Sequence, residues 1–151
     1  MEVIMPSNRA RGFSHERDLV RKIWDQGLAV IRAPASGSKA KKTMYPDIVA
    51  IYKGKVVVIE AKTIKRAKTI YLEPYQVEKL LEFAKRASGE SYIAVKVVGT
   101  GEWIFVSASK VERTHGGKYR LPKELLREGI KFDAFMSIIK GVRKLSEYTD
   151  T

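Results

Sequence analysis

The stretch PDIVAIYKGKVVVIEAK, residues 46–62, decides the fold that we expect for this chain. Two apolar, β-branched runs, 47–52 and 55–62, flank the pair Lys53-Gly54. This pattern predicts a β-hairpin with a two-residue turn. The uninterrupted apolar run Val56–Ile59 indicates a central strand that is covered on both faces.

The turn residues also predict which side chains meet at the far end of this hairpin. With Lys53-Gly54 as the turn, Asp47 lies directly opposite Glu60, and Tyr45 lies opposite Lys62. Opposed residues point to the same face, and residues 60 and 62 share that face because side chains alternate along a strand. Two carboxylates and an ammonium group are therefore expected to converge beside an apolar core.

Two like charges beside an apolar core need a cation, because they repel each other there. Mg²⁺ is the cation that fits, since it takes one or two carboxylates and keeps several waters for a phosphate substrate. Asp47 and Glu60 are thus candidate metal ligands, with Mn²⁺ expected to substitute for Mg²⁺, and Lys62 is a candidate to orient the attacking water.

A third acidic residue, Glu16, is predicted on the first helix. That helix is expected to begin with Ser14 as its N-cap and to end at Gly27. Glu16 lies three and four residues before the apolar Leu19 and Val20, so it shares the inward face and needs a partner such as a metal ion. It is therefore a further candidate metal ligand.

The remaining elements predict a mixed sheet that is flanked by helices, the packing of an α/β domain. They are a strand over 28–33, a helix from Pro74 to Gly89, strands over 92–98 and 103–107 and a closing helix over 132–146, with Phe135, Ile138, Ile139 and Val142 inward. A loose basic arm is expected over 1–12, and a mobile basic loop over 34–45. The 151 residues are expected to form one domain.

The charge indicates a polyanionic partner. The 29 Lys and Arg residues exceed the 17 Asp and Glu residues by 12, and residues 1–68 contribute 9 of that excess. Nucleic acid phosphates bind such surfaces through counterion release. The chain has no cysteine, which excludes disulfides and thiolate chemistry, and no apolar stretch long enough for a membrane span. We expect a cytoplasmic protein with no membrane partner.

These residues resemble those of the PD-(D/E)xK nuclease superfamily, and more narrowly the archaeal Holliday junction resolvases of the Hjc type. The resemblance rests on Glu16-Arg17, on Pro46-Asp47 and on Glu60-Ala61-Lys62, and it extends from Gly12 to the closing helix. It implies a restriction-endonuclease-like fold. It also implies a homodimer that uses Mg²⁺ to place paired symmetric nicks in a four-way DNA junction, in DNA recombination and repair.

The resemblance also implies roles for individual residues. Asp47 and Glu60 would be metal ligands, Glu16 a further acidic site residue and Lys62 catalytic, while Ser36 or Ser38 would act from the mobile loop. The residues expected to contact DNA are basic or lie in that loop: Arg9, Arg11, Arg17, Arg32, Ser38, Lys39, Lys41, Lys42, Lys65, Arg66 and Lys68. The dimer surface and accessory proteins of recombination or replication stay open.

Other functions are compatible with the same residues. A fork-specific or restriction-like endonuclease of this superfamily would share the acidic residues, so the full-length likeness alone favours a junction resolvase. A non-catalytic DNA-architecture protein would also be basic, although it would not need Asp47, Glu60 and Lys62 together. An unrelated metal-dependent phosphoesterase fits less well, because a small substrate needs no basic excess of this size.

Overall fold

A computed structural model describes residues 8–34 and 44–141 of the chain. The helices are α1 (Asn8–Asp25), α2 (Pro74–Arg86), α3 (Lys123–Glu128) and α4 (Phe132–Lys140). The strands are β1 (Ala29–Arg32), β2 (Ile48–Tyr52), β3 (Lys55–Ile64), β4 (Ile70–Leu72), β5 (Glu90–Val97), β6 (Glu102–Ser107), β7 (Glu112–Arg113), β8 (Tyr119–Leu121) and β9 (Ile130–Lys131).

A six-stranded mixed sheet forms the centre of the fold, in the order β1-β2-β3-β5-β6-β9. Strands β3 and β5 are parallel, and the other neighbouring pairs are antiparallel. Parallel strands need a crossover connection, and here that connection contains α2. The predicted mixed sheet flanked by helices is therefore confirmed.

Strand β3 is central, as the run Val56–Ile59 predicts. Val57, Val58 and Ile59 are completely buried. Val58 packs in a core with Val77 and Leu80 of α2, whereas Val57 and Ile59 face the opposite core, which α1 and α4 cover. The alternation of side chains thus gives β3 one helical layer on each face.

The first helix differs from its prediction at its start. Helix α1 already includes Asn8, so residues 8–12, which we expected in the basic arm, are helical and Ser14 lies inside the helix rather than at its N-cap. Gly12 and Ser14 weaken a helix without ending it, and the Arg-Ala-Arg sequence at 9–11 favours helix. Residues 1–7 lie outside the described part of the chain.

The closing helix also differs. It ends at Lys140 rather than at residue 146, because Gly141 adopts a left-handed φ of 73° and its N–H bonds back to the last turn. Phe135 and Ile139 are buried as predicted, but Ile138 is exposed, because Met136 completes the inward face with them. Val142 lies outside the described residues.

A second, three-stranded sheet (β4-β8-β7) was missed, together with α3 and β9. These elements contain two to six residues each, too few to show a hydrophobic period. Across residues 8–34 and 44–141, no helix has both the length and the apolar character needed to cross a bilayer.

Candidate active site

The hairpin formed by β2 and β3 has the register that the Lys53-Gly54 turn predicts. Tyr52 pairs with Lys55, and the ladder continues regularly to the pair of Ile48 with Ile59. Lys53 and Gly54 have φ values of 47° and 85°, the positive values that a type I′ turn requires at both positions. The turn therefore fixes which residues follow at the open end of the hairpin.

The regular ladder stops at the step where Asp47 and Glu60 meet. The Ala61 N–H, whose partner in a continued ladder would be Pro46, instead donates to Oδ2 of Asp47 at 3.0 Å. Proline has no N–H to extend the pairing. Tyr45 is consequently exposed and unpaired with Lys62, so the predicted position of Tyr45 is wrong, whereas Asp47 and Glu60 are neighbours as predicted.

Glu60 is buried, with 3% of its surface exposed. Burial raises the pKa of Glu60 to about 8, and the nearby Asp47 raises it further in the same direction, while Lys79 and Lys62 oppose the shift. Its Oε2 atom has no hydrogen-bond partner among the described residues. A buried carboxylate oxygen without a donor is a site at which a cation would be stabilised.

Glu16 approaches the same place from α1. It is half-buried, and burial raises its pKa to about 7, with the charge of Asp47 as the second cause. Arg32, Arg17 and Lys79 act in the opposite direction. The inward position predicted for Glu16 is therefore confirmed, and its carboxyl group is close enough to Asp47 for their charges to interact.

The acidic residues fit a divalent cation as a pair rather than as a closed cage. In the described part of the chain, no three His, Asp or Glu side chains come together closely enough to hold a metal ion. Asp47 and the Glu60 oxygen that accepts no hydrogen bond from the described residues match the one or two carboxylates that Mg²⁺ takes, with waters and phosphate oxygens completing its shell. Glu16 forms no closed cluster with them, although its charge interacts with that of Asp47.

The basic residues near the carboxylates come from three elements. Lys62 is half-buried and lies two residues after Glu60 on the same face of β3, so its charge lowers the pKa of Glu60. Arg32 at the end of β1 is half-buried, and Arg17 on α1 is exposed. Both arginines lower the pKa of Glu16, which places them on its side of the site.

The other predicted DNA contacts lie in the connection between β3 and β4, on α1 or outside the described residues. Lys65, Arg66 and Lys68 are exposed in the connection between β3 and β4. Arg9 and Arg11 belong to the first turns of α1, of which the structure describes the backbone. The residues of the 35–43 loop lie outside the described residues, among them Ser36, Ser38, Lys39, Lys41 and Lys42.

Lys79 is a site residue that the sequence analysis missed. Its Nζ lies 3.7 Å from Oε2 of Glu60, and its side chain is 12% exposed. The only sequence signal is its place between Val77 and Leu80 on the buried side of α2, a pattern that also fits an ordinary surface lysine. Only the packing of α2 over β3 shows which residue it meets.

Comparison with known proteins places this chain in a family. Residues 7–144 match the model of the archaeal Holliday junction resolvase (Hjc) family. The chain belongs to this family. The crossover junction endodeoxyribonuclease Hjc of Sulfurisphaera tokodaii is 38% identical over 147 residues, which cover 97% of this chain and 99% of that protein. The resemblance predicted from Glu16, Asp47, Glu60 and Lys62 is confirmed.

Solved structures support the fold of the Hjc family for this chain. The Hjc resolvase of Archaeoglobus fulgidus has a TM-score of 0.72 and 28% identity, and the match covers 84% of this chain and 96% of that one. A bacterial homing endonuclease has a TM-score of 0.53 at 10% identity, covering 96% of this chain and 100% of that one, which is a likeness of fold alone. The predicted restriction-endonuclease-like fold is therefore confirmed.

Proposed function

We propose that this chain is an endonuclease that resolves four-way DNA junctions by metal-dependent phosphodiester hydrolysis, with paired symmetric nicks. One observation carries the proposal: the buried Glu60, with an oxygen that accepts no hydrogen bond from the described residues, lies beside Asp47 and Lys62 in a chain of the Hjc family. The basic excess of 12 charges supports a nucleic-acid substrate, because phosphate contacts dominate such binding.

Asp47 and Glu60 would hold Mg²⁺, with Mn²⁺ as a substitute, and Glu16 would add a third acidic group from α1. The ion would lower the pKa of a water and neutralise the charge that develops on the phosphate. The hydrogen bond from the Ala61 N–H to Oδ2 fixes the Asp47 carboxylate, so this group is oriented before substrate binds. The buried, rigid β3 holds Glu60 in the same way.

Lys62 would orient the attacking water and offset phosphate charge, because it shares a face with Glu60 at the end of the hairpin. Arg17 and Arg32 would contact the phosphates beside the scissile bond. Ser36 would act from the 34–45 loop. The contacts with the phosphate backbone would come from Arg9, Arg11, Ser38, Lys39, Lys41, Lys42, Lys65, Arg66 and Lys68, none of which needs to recognise a base.

Paired nicks need two active sites that are related by two-fold symmetry, which a homodimer supplies. An apolar surface suited to that role lies on the α2 side of the sheet. Ile31 of β1 is 67% exposed and Ile51 of β2 is 39% exposed. The register places Ile31 opposite Val49, which packs against the core under α2, so these side chains share one face. We propose this face as the dimer surface.

The decisive experiment compares cleavage of a labelled four-way junction with that of a matched linear duplex, in Mg²⁺ or EDTA. We expect symmetric nicks in the junction alone. They should disappear in EDTA and fall about 100-fold or more in Glu60→Ala and Asp47→Asn, the order of magnitude lost when a charge-stabilising group leaves an active site. Glu124→Ala, an exposed acid on α3, serves as the control and should cut normally.

Each other result has a defined meaning. Equal cutting of the linear duplex would support a nuclease but contradict its selectivity for junctions. That result would favour the fork-specific or restriction-like alternative. Tight junction binding without cutting under any divalent metal would contradict catalysis and support the DNA-architecture alternative. Binding should survive in Asp47→Asn in either case, since the charge of the DNA surface is unchanged or more positive.

A further inference from the structure

Lys79 is largely shielded from solvent and lies beside the carboxyl group of Glu60. The ammonium group lies 3.7 Å from Oε2 of Glu60 and 5.9 Å from the centre of the Tyr75 ring. Only 12% of the lysine side chain and 5% of the glutamate side chain are exposed. Because an isolated ammonium group is costly to shield from water, the Glu60 carboxyl group beside Lys79 lowers the cost of placing it there.

The contact is an ion pair but not a hydrogen bond. At 3.7 Å the Nζ atom is too distant to donate to Oε2, which therefore keeps its lone pairs free. Lys79 also differs from Lys62 in the carboxyl groups that its charge affects. The charge of Lys79 lowers the pKa of both Glu60 and Glu16. Of these two residues, Lys62 affects only Glu60.

We propose that Lys79 is the internal counter-ion of the metal site, a positioning residue that competes with a divalent cation for Glu60 and so sets the metal concentration that the site requires. The inference rests on the proposed metal-dependent function. It follows from charge: Lys79 offsets the Asp47–Glu60 repulsion without metal, and the same positive charge repels an ion that arrives at Oε2.

The test is a calorimetric titration of the whole protein with Mn²⁺, in the absence of DNA. Lys79→Met keeps an unbranched side chain in the buried position but removes the charge, and it should bind Mn²⁺ about tenfold more tightly. Lys79→Arg keeps the charge and should stay within about twofold of the wild type. Lys85→Met, an exposed change in the last turn of α2, controls for the loss of one positive charge and should have no effect.

The metal dependence of junction cleavage gives a second readout. The Mg²⁺ concentration at half-maximal rate should fall in Lys79→Met by a similar factor and remain unchanged in Lys85→Met. A purely structural role would lower the melting temperature of Lys79→Met but leave its Mn²⁺ isotherm unchanged, and that result would overturn the proposal. Weaker Mn²⁺ binding in Lys79→Met would overturn it too, because Lys79 would then assist metal binding.

The two proposals fail in different ways. A wild-type protein that binds Mn²⁺ but does not cut the junction would contradict the proposed function. The Mn²⁺ isotherms of the Lys79 variants would still decide the counter-ion role. A wild-type protein that binds no Mn²⁺ would overturn both. Junction cleavage with identical isotherms in all variants would retain the nuclease and overturn the counter-ion role alone.

Discussion

At the scale of single residues, the site is built on a carboxyl group placed where its charge is costly. Glu60 is the one buried charged residue of the described chain, and both its burial and its neighbour Asp47 raise its pKa. Ionised Glu60 therefore lowers the free energy of unfolding of the metal-free protein. Such a cost is typical of residues retained for chemistry rather than for stability.

This environment predicts a pH dependence of stability. Because the pKa of Glu60 rises to about 8 in the folded protein from an ordinary value near 4.5, the folded state binds more protons than the unfolded state between these values. The free energy of unfolding in EDTA should therefore fall as pH rises from about 5 to 8. Glu16, with its pKa raised to about 7, acts in the same direction.

The variant Glu60→Gln isolates this contribution. At pH 8 in EDTA its free energy of unfolding should exceed that of the wild type by roughly 1 kcal/mol or more. For a chain of this length, each kcal/mol raises the melting temperature by about 2–4 °C. The gain should shrink at pH 5, where the glutamic acid is protonated. Urea unfolding at both pH values measures it, and an equal difference at pH 5 and pH 8 would contradict the pKa assignment.

At the scale of elements, two glycines control how β3 meets its neighbours, for different reasons. Gly54 needs its positive φ of 85° for the hairpin turn, but an added Cβ would lie in open space. Gly89 lies where α2 gives way to β5, and a Cβ there would lie 2.5 Å from the Val56 carbonyl oxygen. The first glycine is needed for its conformation and the second for a close backbone approach.

The two alanine variants should therefore differ in cost. Gly54→Ala forces an L-residue into a left-handed conformation and should lower the free energy of unfolding by about 1 kcal/mol. Gly89→Ala must separate α2–β5 from β3 and should cost about 1–3 kcal/mol, the range for overpacking a rigid contact. Denaturant titration of both variants measures this order. A smaller loss in Gly89→Ala than in Gly54→Ala would contradict the close approach at Val56.

At the scale of the whole molecule, the charged and the apolar surfaces are suited to different partners. The basic excess is concentrated in residues 1–68, so the charge that would attract a polyanion comes mainly from the same part of the sequence as the candidate carboxylates. The exposed Ile31 and Ile51 lie on the α2 side of the sheet, at its β1 edge. Such a surface is suited to a second copy of the chain rather than to phosphate.

The variant Ile31→Lys tests the dimer surface. A charge at this exposed position should leave folding intact, because the side chain is not part of the core. It should convert the proposed dimer to a monomer in sedimentation velocity and replace the proposed paired nicks by single ones, because each monomer would carry one site. Val98→Lys, also at an exposed apolar position, is the control. A dimer that persists in Ile31→Lys would place the interface elsewhere.

The local sequence was enough to determine the hairpin and which acidic side chains meet at its open end. The Lys53-Gly54 turn fixes the pairing of β2 with β3, and a period of two then brings Asp47 beside Glu60 without any knowledge of the rest of the chain. The helix spacing of Glu16 and the apolar run of β3 are equally local signals. These predictions hold because each depends on residues close together along the chain, where backbone geometry alone fixes the relation.

Only the tertiary structure decided what surrounds that hairpin. The pairing of Lys79 with Glu60 depends on the crossover that places α2 over β3, and the face shared by Ile31 and Val49 depends on how β1 joins the sheet. The small β4-β8-β7 sheet is stabilised by its long-range partners, since its short strands have no detectable pattern of their own. Contacts between distant segments follow from the packing of the whole core, which no local sequence pattern specifies.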